Sequence, residues 1–190
     1  MKSKSIVMAL LVSFFAITVT AQTAIPAKYI KATIYLANGN TINGFIKDNI
    51  RQSSSVVFID EAGKNKKQYE GSDINTLKTD AANFICIRGD FFKNLSAGKM
   101  NFLQKESNSS DKPLYNGTEP IFVNGTPGKI GDYYVFTEEQ LTLLNKKTLD
   151  DFINTHLTTC TEAVEKAKAV NGDMGKMQQV VEIYNAYTLK

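Results

Sequence analysis

Lys28-Tyr29-Ile30-Lys31-Ala32-Thr33-Ile34-Tyr35-Leu36, Ala37-Asn38-Gly39-Asn40, Thr41-Ile42-Asn43-Gly44-Phe45-Ile46 is the stretch that decides the fold. Its first run alternates apolar and polar residues with the two-residue period of a half-buried strand. Asn38-Gly39-Asn40 is turn chemistry, and extended character resumes after it, so residues 28–48 read as an antiparallel hairpin. The same pattern continues outward. Ser55-Val56-Val57-Phe58-Ile59 reads as a strand, Asp60-Glu61-Ala62-Gly63 as a turn and Lys66-Lys67-Gln68-Tyr69 as the return. Asp73-Ile74-Asn75-Thr76-Leu77 opens another element, and strands are predicted near residues 83–88, 99–105, 120–124 and 131–136. Short strands at hairpin spacing point to a sandwich or small barrel. Residues 106–119 hold no apolar run and carry Pro113 and Gly117, so they are read as a loop.

From Thr137 the predicted period changes to that of helices. Thr137 with Glu138, Glu139 and Gln140 has the form of an N-cap followed by a first turn, and Leu141, Leu144, Leu149, Phe152 and Ile153 follow at helical spacing. Thr148 with Asp150 and Asp151 marks a second start. Beyond it come a helix carrying Ala163, Val164 and Ala167, then Gly172, then a stripe of Met174, Met177, Val180, Val181 and Tyr184. A Met-containing stripe at this spacing reads as core rather than as a partner groove. The expectation is an α+β fold, with a β-rich antiparallel body over residues 22–136 and a helical region over 137–190 packed on the same domain.

Ahead of this body, Lys2 and Lys4 precede Ile6-Val7-Met8-Ala9-Leu10-Leu11-Val12 and further apolar residues to Val19. This is the form of a secretory signal peptide, with cleavage predicted between Ala21 and Gln22. The run is too short, and too interrupted by Ser13 and Thr18, for the roughly 20 apolar residues of a spanning helix. No further spanning segment follows, so the reading is an exported protein of the periplasm, outer membrane surface or exterior. Losing residues 1–21 removes two lysines and no acid, which takes the formal charge from +3 to +1 over 169 residues. Nucleic-acid binding driven by charge is excluded by that balance. Eleven Phe and eight Tyr supply enough apolar side chain for a core and exclude a disordered chain.

Cys86 lies in a predicted strand and Cys160 in a helical region, and an oxidising compartment leaves two readings open. Either they pair in a disulfide, which would stabilise by roughly 4 kcal/mol for a loop of this length, or they are separate buried thiols. His156, the only histidine, stands four positions before Cys160 without any nucleophile signature around the two. One histidine and two distant cysteines do not make a zinc set. No G-x-S-x-G, P-loop or G-x-G-x-x-G motif is present, so no catalytic residue, metal ligand or cofactor-binding residue is assigned, and no cofactor is expected. Asp60-Glu61, Glu138-Glu139 and Asp150-Asp151 read as turn and cap residues. Lys64-Asn65-Lys66-Lys67 reads as a solvated hairpin tip.

The hairpin with Asn38-Gly39-Asn40-Thr41 and Gly44-Phe45-Ile46, the Val56-Val57-Phe58 strand, and Tyr69 ahead of Asp73-Ile74 resemble a family of secreted, uncharacterised Gram-negative proteins. Phe152, Cys160 and Val180-Val181-Glu182-Ile183-Tyr184-Asn185 resemble that family's closing helices, with Thr159 and Thr161 standing where aspartate and proline flank the family's cysteine. The resemblance implies location and architecture and assigns no activity. The functional expectation is a non-enzymatic exported protein that acts through binding or envelope interaction, with an envelope protein as partner; the alternative is a carrier of a small hydrophobic or glycan ligand inside a barrel, and an enzyme of unrecognised mechanism ranks third.

Overall fold

Asn38-Gly39-Asn40 joins two antiparallel strands, β1 (Ile30–Leu36) and β2 (Thr41–Asn49), in the register Ile30↔Ile46 to Tyr35↔Thr41. The Asn38 carboxamide accepts the Asn40 amide at 3.0 Å, and Gly39 takes φ +86°, a left-handed value that costs glycine little. In the computed structural model, residues 25–109, 114–116, 119–121, 125–138 and 140–189 are described. The signal segment and the Ala21/Gln22 cleavage position lie outside them.

One antiparallel sheet of ten strands organises the molecule, in the order β12-β11-β8-β7-β6-β5-β1-β2-β3-β4. Strands β3 (Ser55–Asp60) and β4 (Lys67–Glu70) extend it beyond β2, with a single helical turn α1 (Ile50–Ser53) between β2 and β3. The chain then crosses back through a 3₁₀ turn at Gly71–Asp73, and β5 (Ile74–Thr79) pairs on the other side of β1. From there β6 (Asn83–Ile87), β7 (Asp90–Ser96) and β8 (Asn101–Lys105) follow as a meander. A separate hairpin sets β9 (Leu114–Asn116) inside the stretch expected to be a loop and β10 (Glu119–Ile121) at the start of the strand expected near 120–124. Strands β11 (Tyr133–Thr137) and β12 (Gln140–Leu144) return to the main sheet beside β8.

The α+β class holds, with an antiparallel body followed by C-terminal helices. Among the described residues the sheet does not close into the expected barrel: β4 and β12 are its two ends and do not pair.

The expected helix at Thr137 is instead a strand hairpin. Thr137 pairs with Gln140 across a two-residue turn in which Glu138 has φ +47°. Leu141 and Leu143 pack with Phe92, Leu103 and Tyr134, whereas Leu144 joins Phe102 and Val135 on the other face. Leu141 and Leu144 are three apart, which fits a helix, but the alternation 141, 143 against 144 is the period of a strand. The C-terminal helical region begins at α2 (Leu149–Phe152), continues as a π-turn over Ile153–Leu157, and resumes in α3 (Thr161–Lys168) and α4 (Met177–Thr188). Phe152, Leu157, Ala163, Ala167, Met177, Val180 and Val181 bury against Phe102, Val135 and Leu144, which confirms the Met-containing stripe as core.

α4 is pinned at its far end by Asn185. Its carboxamide accepts the Met100 amide at 3.0 Å and donates to the Met100 carbonyl at 2.8 Å. The helix thus grips the β7–β8 hairpin tip with the paired donor and acceptor of one side chain. A Cβ on Gly98 would collide with that carboxamide, so the hairpin needs glycine there.

Candidate functional site

The β6–β7 turn positions the first element of the site. Ile87 pairs with Asp90 across Arg88 (φ +52°) and Gly89 (φ +85°), the two left-handed residues of a tight hairpin turn. Asp90 is therefore the first residue of β7 and projects from the same face as Phe92, two positions on. Phe92 pairs with Lys105, the last residue of β8, so a carboxylate and an ammonium meet on a face otherwise floored by Phe92, Leu103 and Tyr134.

Lys105 Nζ lies 3.0 Å from Asp90 Oδ2, and both side chains are fully buried. Around this pair runs the segment Gly125–Asp132. Asp90 Oδ2 accepts the Thr126 amide at 2.7 Å and the Thr126 hydroxyl at 2.6 Å, and Oδ1 accepts the Ser109 amide at 2.5 Å. Lys105 Nζ donates to the Thr126 carbonyl at 2.7 Å and reaches the Gly128 carbonyl at 3.4 Å. The Tyr134 hydroxyl donates to the Pro127 carbonyl, and Gly125 donates to the Arg88 carbonyl at 2.8 Å. Ser107 Oγ, also buried, accepts the Phe91 amide at 2.8 Å. Three buried side chains, Asp90, Lys105 and Tyr134, so fasten a strap across the sheet face by its backbone.

The electrostatics follow from that network. Burial pushes the Asp90 carboxyl up, but the Thr126 hydroxyl, the Ser109 amide, Lys105 and the Thr126 amide outweigh it and hold the group below its ordinary 3.8. Tyr134 is pushed up to about 12, first by burial and then by the charges of Asp132 and Asp90, so it remains a neutral donor. A carboxyl depressed by folding contributes stability that is complete above its unfolded value and is lost as pH falls through the folded one. We expect unfolding stability to drop below about pH 4 with a component that D90N lacks; urea titrations at graded pH measure it, and parallel curves for the two proteins would contradict it.

Beside the strap lies a cleft of about 460 Å³ lined by Ile87, Arg88, Thr126, Pro127, Tyr134, Glu138, Gln140, Leu141 and Leu143. The volume falls among those of small-molecule sites, roughly 300–1,000 Å³. Its floor is aliphatic and comes from β6 and β12, one wall is the fastened strap, and its rim carries Arg88, Glu138 and Gln140. Asp90 and Lys105 are engaged by one another and by the strap. They hold the wall, while the polar side chains free at the mouth of the cleft are those of the rim.

The residues singled out from sequence lie elsewhere. Cys86 packs against the cluster of the first strands, with Phe84 and Phe91, and Cys160 lies buried among the C-terminal helices. Both are free thiols, which decides against the disulfide. Burial, then the charge of Asp90, raises the Cys86 thiol far above its ordinary value, so it is protonated. His156 sits in the π-turn with its ring 5.2 Å from that of Phe152 and lines a small cavity with Lys99, Thr137, Glu138 and Tyr184. Cys160 lines a different groove, with Thr159, Ile183 and Tyr187, so the structure does not join the two into a reactive pair. Among the described residues, no three His, Cys, Asp or Glu side chains are grouped as metal ligands would be. Lys67, of the basic tip, reaches back to stack its ammonium 4.5 Å from the Tyr69 ring centre.

Asp90, Lys105, Thr126 and Tyr134 belong to no motif that sequence reasoning singles out. A signal exists all the same: Lys105 shares strand parity with Leu103, and Asp90 with Phe92, which puts a charge on an otherwise apolar face. No family model, no curated protein and no solved structure matches the chain.

Proposed function

We propose that the chain is an exported, non-enzymatic binding protein whose ligand site is the cleft beside the Gly125–Asp132 strap. The observation that carries this reading is the combination of a 460 Å³ cleft with a wall locked by a fully buried ion pair. A prefixed wall spares the ligand the entropy of ordering the site, the usual route to affinity in small pockets. The aliphatic floor of Ile87, Leu141 and Leu143 suits an acyl or aromatic moiety, and Arg88, Glu138 and Gln140 suit a polar head with both donors and acceptors. Export is supported by the amino-terminal pattern of Lys2 and Lys4 before an apolar run, and by the resemblance to secreted proteins.

The test is thermal denaturation with single-chain lysolipids and amphipathic glycosides. At a hundredfold excess over its dissociation constant, a ligand that binds only the folded state stabilises by about 2.7 kcal/mol. We expect a rise of several degrees for a molecule with an apolar tail and a polar head, and its loss in Ile87→Arg, which sets a charged side chain on the aliphatic floor. No response to either class, or a shift that survives in I87R, would overturn the assignment of the cleft.

A further inference from the structure

The two ends of the sheet are treated differently by the sequence. β4 reads Lys67-Gln68-Tyr69-Glu70, a short edge with a charge at each end, and such charges block pairing with another strand. β12, Gln140-Leu141-Thr142-Leu143-Leu144, carries neither charge nor proline, and among the described residues no strand lies on its outer side. Because Thr137 and Gln140 close a two-residue turn, their pair is hydrogen-bonded, as are Val135↔Thr142 and Tyr133↔Leu144 in alternation. The N–H and C=O groups of Leu141 and Leu143 therefore point away from β11. Consistent with that direction, the Leu143 carbonyl accepts the Thr148 hydroxyl at 2.7 Å, which leaves it a second lone pair.

We propose that β12 is a homodimerisation edge and that its occupant is β12 of a second copy, paired antiparallel about a two-fold axis at Thr142. Around that centre, Leu141 of one copy exchanges both backbone hydrogen bonds with Leu143 of the other. The flanks complement each other. The turn before β12 holds exposed Glu138, and the turn after it holds exposed Lys146 and Lys147. Glu138 and Lys146 are each four positions from Thr142, so antiparallel pairing sets the acidic turn of each copy against the basic turn of the other. An isologous contact must be self-complementary in this way. A parallel arrangement would set like charges together.

The pairing also bears on the cleft, although it does not depend on that reading. Leu141 and Leu143 face the cleft side of the sheet, so two copies joined at β12 place both clefts on one continuous face, with four leucines between them as a shared apolar floor.

Sedimentation velocity over a range of protein concentrations tests the proposal. We expect a concentration-dependent dimer. Thr142 of each copy faces its twin at the axis, so T142D and T142K each set like charges directly opposite and are expected to weaken dimerisation at least tenfold. An equimolar mixture of T142D and T142K is expected to regain the dimer, which a merely misfolded variant would not do. Should either variant lose its circular dichroism signature, E138K and its partner E138K/K146E provide the same loss and rescue at the turns. A wild-type protein monomeric at every concentration, or a dimer unaffected by both pairs of variants, would overturn it. Ligand binding by a monomer would leave the cleft standing and this edge refuted.

Discussion

Replacing Asp90 with asparagine is expected to lower the unfolding free energy by about 3–5 kcal/mol, the range for breaking a buried ion pair by removing one partner. The size comes from what is left behind. Lys105 has no exposed surface and lies 3.0 Å from the Asp90 carboxylate, so the neutral variant strands an ammonium where water cannot reach it. The substituted carboxamide could still accept from Thr126 or Ser109, but it places an amide N–H₂ where the native group only accepts. Urea unfolding of D90N, K105M and D90N/K105M separates the contributions. The double variant is expected to be more stable than either single one, because no unpaired charge remains. If D90N lost less than about 1 kcal/mol, the pair would have to be solvated in solution and the strap would not be locked.

Asn185→Ala is expected to cost about 2–4 kcal/mol, since it orphans the N–H and C=O of Met100 together and each buried backbone group left unpaired costs about 1–3 kcal/mol. Met100 and Asn185 are both buried, so water does not replace the lost bonds readily. Asn185→Asp keeps the acceptor and loses the donor, and should be no better, because it buries a charge beside a carbonyl. Unfolding curves give the energies, and amide hydrogen exchange at Met100 gives the location. Faster exchange there, with the amides of β8 unchanged, is the expected signature, and an unchanged rate at Met100 would show that α4 is held by its apolar stripe alone.

Much of the body is readable in the sequence because its signals are local. In β1, Ala32, Ile34 and Leu36 bury on one face while Lys31 and Tyr35 stay exposed, and Asn38-Gly39-Asn40 leaves no alternative to a turn. Met177, Val180 and Val181 are equally plain at helical spacing. The stretch from Thr137 misleads because Thr-Glu-Glu-Gln is as good a cap as a turn, and Leu141 with Leu144 fits either period until the pairing with β11 is known. The openness of the sheet is not readable either, since a meander of short strands closes or stays open according to its twist and ends. The site is least legible. Asp90 and Lys105 stand on neighbouring strands at opposite ends of the β7–β8 hairpin sequence, and their meeting depends on the Phe92↔Lys105 register and on a strap reached from Gly125. A charge at a strand end looks like a boundary in the sequence, and only the long-range pairing turns it inward. Cys86 and Cys160 attract notice for the opposite reason, because cysteines are conspicuous by type, and the fold uses them as small apolar residues.

The position of β1 between β5 and β2 has a consequence for how the chain assembles during synthesis. Among the described residues the earliest strand in the sequence is an interior one, so the sheet grows in both directions from it instead of accreting along one side. The β1–β4 wing can form as soon as Glu70 has left the ribosome or a translocation channel, whereas the other side of β1 stays open until β5 crosses back. During that interval the chain exposes one raw flank at its own middle.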